Sequence, residues 1–265
     1  MTEERISIGT DEISQSPVVI SKFLAEHKLK NIEVRTIGGK RIPEIDERIW
    51  REFRSRTLDE DLRVLAISPG IFKGHYTDRE RLENELENIL PATIEKAIEA
   101  DSNNIITFGF MSEQNDVPPK YVIDALIKAA SLCADAGIAL LLENEPGSFA
   151  DNGFRTKALL DSVNHSNLFA NWDPCNANIF NDSRSLRENL SALSKYVKHV
   201  HVKNGKRVKG NEFPAYCALS EGEIDWRDHL LALKEMGYKG YLGIETHFEP
   251  IYEGSSTVLK ELRGI

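Results

Sequence analysis

The sequence lacks any long apolar stretch: no run reaches the roughly 18 to 20 residues that a bilayer span requires, so a helical membrane protein is not expected. Positive charge is in deficit, with 33 Lys and Arg against 42 Asp and Glu and a formal net charge of -9. Such a chain projects no diffuse positive field, and neither nucleic acid nor a membrane is an expected partner. Cysteine is scarce and odd in number. Cys133, Cys175 and Cys217 lie far apart, without metal-knuckle spacing, and read as reduced thiols rather than as a disulfide framework. The opening residues, Met1-Thr2-Glu3-Glu4-Arg5, have neither the basic nor the apolar region of a signal peptide, and a cytoplasmic location is expected. No Pro/Gly/Ser linker, low-complexity tract or break in composition divides the chain, so residues 1–265 read as one domain.

What is present is the composition of an ordinary core-forming protein, 41% apolar and 28% charged. Short β-rich runs alternate with amphipathic stretches from end to end. Eight strands are expected, at Ile6–Gly9, Asn31–Thr36, Arg63–Ser68, Asn104–Gly109, Ile138–Glu143, Leu168–Asp173, Val197–Lys203 and Tyr241–Glu245. Between them lie helical segments such as Pro118–Ala136, in which Val122, Ala125, Leu126, Ala129 and Cys133 recur at helical spacing. Eight βα units with right-handed crossovers close into a (β/α)₈ barrel, a fold of about 250 residues. A doubly wound open sheet is the competitor. Its first strand would feed a Gly-rich phosphate loop, whereas this one leads into Thr10-Asp11-Glu12-Ile13-Ser14. The reading is a single TIM barrel.

In such barrels the reactive groups project from the C-terminal ends of the strands. Four successive strands of the second half carry Glu143, Asp173, the pair His199 and His201, and Glu245 near those ends. Alternation points both histidines to one side of their strand and sends Trp172 to the other, against the outer helices. Asp, Glu and His make up roughly a fifth of the chain, so any single placement is unremarkable as chance, but four in succession is not. Three carboxylates gathered across a barrel about 15 Å wide would repel one another unless a cation sat between them. Three oxygen donors with one imidazole favour Mn²⁺, then Mg²⁺ or Co²⁺, with Zn²⁺ also compatible.

The segments Leu142-Glu143-Asn144, Asp173-Pro174-Cys175-Asn176, His199-Val200-His201-Val202-Lys203 and Gly243-Ile244-Glu245 resemble the xylose isomerase-like barrels, in particular their sugar phosphate isomerase and epimerase branch, which includes the ketose 3-epimerases. Weaker likenesses are Glu33-Val34-Arg35, Ser68-Pro69-Gly70-Ile71-Phe72-Lys73 and Gly222-Glu223-Ile224-Asp225-Trp226. The resemblance implies metal ligation by Glu143, Asp173, His201 and Glu245, with His199 packed nearby. It implies a substrate-binding arginine at Arg207, six residues after His201, and a homodimer or homotetramer. The chain departs at Asn176, where ketose 3-epimerases usually carry a histidine; an asparagine there can still donate to a sugar hydroxyl.

The expected chemistry follows from the donor set. A metal chelated by a carbonyl and the adjacent hydroxyl acidifies the intervening C–H bond and stabilises an enediolate. Glu143 and Glu245, from different sides, would remove and return the proton. Epimerisation, aldose–ketose isomerisation and loss of a β-hydroxyl by a dehydratase all start from that step. The substrate expected is a small sugar, sugar phosphate or sugar acid. Its anionic group would meet cations at the barrel mouth, namely Arg35, Lys73, Lys203 and Arg207. His247 and Asn176 are further substrate-binding candidates, Glu145 a supporting base and His75 a residue of a loop over the mouth. Glu221 and Glu223 read as the approach to the seventh helix. Two rivals stand beside this reading. Apurinic endonucleases share the barrel but use three zinc ions and early-strand histidines, where this chain has Arg35 and Ser68; a non-catalytic binding protein would have no use for four ligands.

Overall fold

The alternating pattern resolves, in a computed structural model describing residues 3–112, 117–179, 184–211 and 214–265, into eight parallel strands each followed by helix. Met1 and Thr2, part of the start that lacks a signal-peptide pattern, lie outside the described residues. The strands are β1 (Ile6–Ile8), β2 (Asn31–Val34), β3 (Arg63–Ile67), β4 (Asn104–Thr107), β5 (Ala139–Glu143), β6 (Leu168–Trp172), β7 (Val197–Val202) and β8 (Tyr241–Ile244). They hydrogen-bond in the order β1-β8-β7-β6-β5-β4-β3-β2, and a parallel bridge between Gly9 and Glu33 brings β1 and β2 together. This is the expected TIM barrel.

The outer helices are α1 (Pro17–Glu26), α2 (Glu47–Asp59), α3 (Arg79–Asn84, continued through a π turn at Glu85–Ile89 into Leu90–Glu99), α4 (Lys120–Asp135), α5 (Gly153–Val163), α6 (Leu186–Leu193), α7 (Trp226–Glu235) and α8 (Ile251–Gly264). Each buries the stripe that its periodicity predicts. In α4 that stripe is Val122, Ala125, Leu126, Ala129, Ala130 and Cys133, and burial raises the Cys133 thiol to about 12, as befits a core residue. Side-chain caps from Asp46, Asn152, Ser185 and Asp225 fix the starts of α2, α5, α6 and α7. Among the described residues no helix is long and apolar enough to cross a membrane.

Side chains of opposite character fill the barrel's interior. Ala66, Ile106, Ala139 and Leu141, from β3, β4 and β5, form a small apolar cluster separate from the strand–helix core. On the facing side Ser7, Asn31, Glu33, His199 and His201 are buried polar groups from β1, β2 and β7. The outward positions between them, Val200, Val202 and Trp172, join the main core under the helices.

Candidate metal and active site

Each of the four strand-end groups is placed by the ladder beneath it. Glu143 is the last residue of β5 and pairs with Asn171 of β6. Asp173 follows β6, His201 lies within β7, and Gly243 of β8 pairs with His201, which sets Glu245 two residues beyond. Ligand atoms of Glu143, Asp173, His201 and Glu245 all lie within 4.8 Å of one another, and all four residues are buried. His201 Nδ1 is 3.4 Å from Glu143 Oε1 and 3.4 Å from Glu245 Oε2. Two donors held about 2.1 Å from one ion, at angles between octahedral and tetrahedral, sit roughly 3.0–3.4 Å apart, so these spacings are those of ligands around a common centre.

The other imidazole nitrogen is occupied. His201 Nε2 lies 3.0 Å from Glu33 Oε2, while Glu33 Oε1 accepts from His199 Nε2 at 3.0 Å and from the Ser7 hydroxyl. A carboxylate on the far nitrogen fixes the tautomer and ring plane of a metal-binding histidine. Gly243 makes the arrangement sterically feasible, since a Cβ there would collide with the Glu33 carboxylate and the His199 ring. His199 lies beside the four-residue cluster, its Nε2 3.0 Å from Glu33 Oε1, and together with Glu33 and His201 forms a second buried group of candidate ligands. Asn171 Nδ2, 3.2 Å from Glu143 Oε2, adds a neutral donor.

Charge inside the cluster is balanced closely. Burial opposes ionisation of Glu143, but His201 and Lys203 outweigh it and hold the carboxyl down to about 2. Burial likewise opposes the imidazolium, yet Glu143 and Glu33 raise His201 to about 10. Lys203, also buried, puts Nζ 2.9 Å from Asp173 Oδ2 and 3.1 Å from Glu245 Oε2; burial disfavours its ammonium, but the Asp173 carboxylate outweighs that and raises its pKa. Asp173 Oδ2 nevertheless has no aligned hydrogen bond, although it is buried. Three carboxylates, one oriented imidazole and an under-coordinated buried oxygen fit a divalent ion of hard or borderline character.

Comparison with known proteins identifies the family of the barrel. The family described as xylose isomerase-like TIM barrels matches residues 22–262. The chain belongs to that family. Among solved structures, this xylose isomerase-like barrel is similar to the IOLI protein with a bound zinc atom, at TM-score 0.80 and 17% identity, covering 98% of this chain and 97% of that one. It is also similar to the probable 3-DHS dehydratase AsbF of Bacillus anthracis, at TM-score 0.78 and 19% identity, with 98% of each chain covered. An L-ribulose 3-epimerase matches at TM-score 0.77 and 19% identity, over 98% of this chain and 93% of that one.

The remaining sequence candidates of this family member occupy two tiers around the cluster. Arg35, just past β2, bonds Asp11 at 2.9 Å and Glu12 at 2.8 Å and contacts Glu245 through Nη1. His247 places Nδ1 3.1 Å from Glu12 and Nε2 3.9 Å from Glu245. Glu12 is itself buried, accepting from the backbone of Thr246 and His247, and despite that burial its carboxyl is held far below the usual range by His247 and Arg35. Further out, Lys73 pairs with Glu145 at 2.9 Å and lies over the Phe108 ring. Asn176 spends its amide on the Asn144 carbonyl at 2.9 Å and on Glu145 at 3.4 Å, while its backbone N–H donates to Asp173 Oδ1 at 2.9 Å. Arg207 is exposed and bonded to Glu223 at 2.8 Å, which ties the loop after β7 to the approach to α7. His75 bonds Thr77 at 2.6 Å on an exposed loop. Sequence reasoning did not single out Glu33, Asn171, Glu12 or Arg41. The first had a usable signal: Asn31, Glu33 and Arg35 repeat at every second position and so share one face of β2.

Proposed function

We propose that this barrel is a divalent-metal-dependent enzyme that moves a proton next to a carbonyl of a small sugar, sugar phosphate or sugar acid. The observation that carries the reading is the convergence of Glu143, Asp173, His201 and Glu245 within 4.8 Å in a buried site. The likeness to an epimerase and to a zinc-binding barrel supports it. Mn²⁺ is the first choice of ion for this oxygen-rich set. A divalent cation held by these residues would polarise the substrate carbonyl and stabilise the enediolate left by proton loss. Glu143 and Glu245 close β5 and follow β8, three strands apart in the barrel, so one can take the proton from one face and the other return it to the opposite face. Arg35 and Lys203 fix the Glu245 carboxylate, and Glu33 fixes His201. The buried, free thiols support a cytoplasmic location, and a homodimer or homotetramer is the assembly that the family likeness implies.

A second reading, dehydration, has its own observation. Loss of a β-hydroxyl needs an acid at the departing oxygen, and the Lys203 ammonium lies within the cluster, next to Glu245; the similarity to a probable dehydratase points the same way.

The test is a panel of ketoses, their phosphates and sugar acids, incubated with Mn²⁺ in deuterated water. Wild-type protein incorporates deuterium beside the carbonyl, and chelation by EDTA stops it. Glu245→Gln lowers the exchange by about 10²–10⁴-fold. Undiminished exchange in that variant removes Glu245 from the mechanism, and exchange indifferent to EDTA removes the metal. A product lighter by one water selects the dehydratase.

A further inference from the structure

The cations at the barrel mouth differ in what they already hold. Arg35 is spent on Asp11, Glu12 and Glu245, Lys203 on Asp173 and Glu245, Lys73 on Glu145, and Arg207 on Glu223. Arg41 is different. It ends the short hairpin of Thr36–Ile37 and Lys40–Arg41 that follows β2, and so stands on the C-terminal face of the barrel. Its Nε donates to the carbonyl of Ser68, just past β3, at 3.0 Å. That is its one hydrogen bond among the described residues, and it forms no ion pair with any of them. Among the described residues the two Nη groups have no acceptor, and neither is fully buried.

The surroundings are shaped for this guanidinium. Gly70, at φ +78°, lies against it so closely that a Cβ there would stand 3.0 Å from Nη1. Burial, with Arg35 close by, pushes the Arg41 pKa below that of an ordinary arginine, and Asp11, Glu143 and Glu145 are near enough to oppose the shift. A half-buried cation without a counter-ion costs free energy until an anion completes it. Its open edge is a planar fork of N–H donors, the geometric complement of a carboxylate or a phosphate.

We propose that Arg41 is the anchor for an anionic group, carboxylate or phosphate, carried by the substrate of this site. The assignment rests on the proton-transfer reading above and narrows its substrate class to the acidic or phosphorylated members.

The experiment uses EDTA-treated full-length protein, so that neither probe is held by a metal. Inorganic phosphate and acetate are titrated while the arginine Nε–Hε signals are followed by ¹⁵N NMR, the Arg41 signal being assigned by its loss in Arg41→Gln. A saturable shift of that signal is expected in the wild-type protein, and affinity, read in wild type and variants alike by isothermal titration calorimetry, should be at least tenfold weaker in Arg41→Gln and unchanged in the control Arg51→Gln on α2. The tighter of the two probes identifies the anion. A motionless Arg41 signal with both probes, or wild-type affinity in Arg41→Gln, overturns the proposal. Should Arg41→Gln not fold, Arg41→Lys keeps the charge and loses the fork: weakened binding supports the anchor and unchanged binding refutes it. Anion binding without deuterium exchange on any substrate would fail the reaction and not the anchor; exchange on neutral ketoses without anion binding would do the reverse.

Discussion

Glu33 accepts from Ser7, His199 and His201 at once, so the ring that offers Nδ1 to the cluster is held by a group one layer deeper in the barrel. Despite burial, the two imidazoles keep its carboxyl well below the usual carboxylate range. Glu33→Gln retains the volume but replaces one acceptor by a donor, which leaves a histidine mis-paired. Mn²⁺ affinity should fall by about 10–100-fold, read by titration calorimetry, while Ser7→Ala should have a smaller effect. Legibility at this scale followed position. Glu143, Asp173, His201 and Glu245 were readable because charged groups at the ends of apolar runs have no packing role to play. Asn171 was not, because a polar residue inside a run such as Phe169-Ala170-Asn171-Trp172 is masked by its apolar neighbours, and Glu33 was marked only by the alternation it shares with Asn31 and Arg35. Arg41 sits on a two-residue strand, too short for any periodicity to report its direction.

At the scale of elements, the outward face of β6 is tied to α7 by a hydrogen bond from Trp172 Nε1 to His229 Nε2 at 3.0 Å. Accepting that bond requires a neutral imidazole, and burial lowers the His229 pKa to about 4, with Asp228 opposing. In the unfolded chain the same side chain titrates near ~6.5. Stability from this group is therefore present above ~6.5 and is lost as pH falls toward 4, by up to roughly 3 kcal/mol. Urea unfolding between pH 7 and pH 4 should show that slope, and His229→Asn should flatten it while lowering stability at pH 7. The same pairing explains why alternation placed Trp172 correctly. Boundaries were less legible. The helix read from Pro118 begins at Lys120 because Pro119 takes the capping position in extended conformation. The π turn at Glu85–Ile89 accompanies a long-range contact that no local pattern encodes, the Glu85 carboxylate accepting from the Phe72 backbone at 2.8 Å.

Across the whole molecule, the four donors come from or just beyond β5, β6, β7 and β8, half of the barrel's circumference. A ligand that binds only the folded arrangement stabilises it by mass action, about 2.7 kcal/mol when present at a hundredfold over its dissociation constant. For a chain of this length that corresponds to roughly 5–10 °C in Tm. Scanning calorimetry with Mn²⁺ should show the rise, and EDTA should reverse it; an unchanged Tm at saturating Mn²⁺ would mean that the ion does not bridge the strands. The barrel itself was legible because eight runs at a steady spacing leave few alternatives, whereas the polar filling of one side of its interior needed the ladder registers.

The join between β1 and β2 rests on the Gly9–Glu33 bridge and on side chains: Ser7 to Glu33, Asn31 to the Ile6 carbonyl, and Thr10 to the Arg35 N–H and the Thr36 carbonyl. The residue that stitches this seam is the residue that aims His201. Any breathing of the cylinder there must slacken the imidazole as well, so the mechanical integrity of the first two strands and the aim of a side chain on β7, three strands further round the cylinder, are one property.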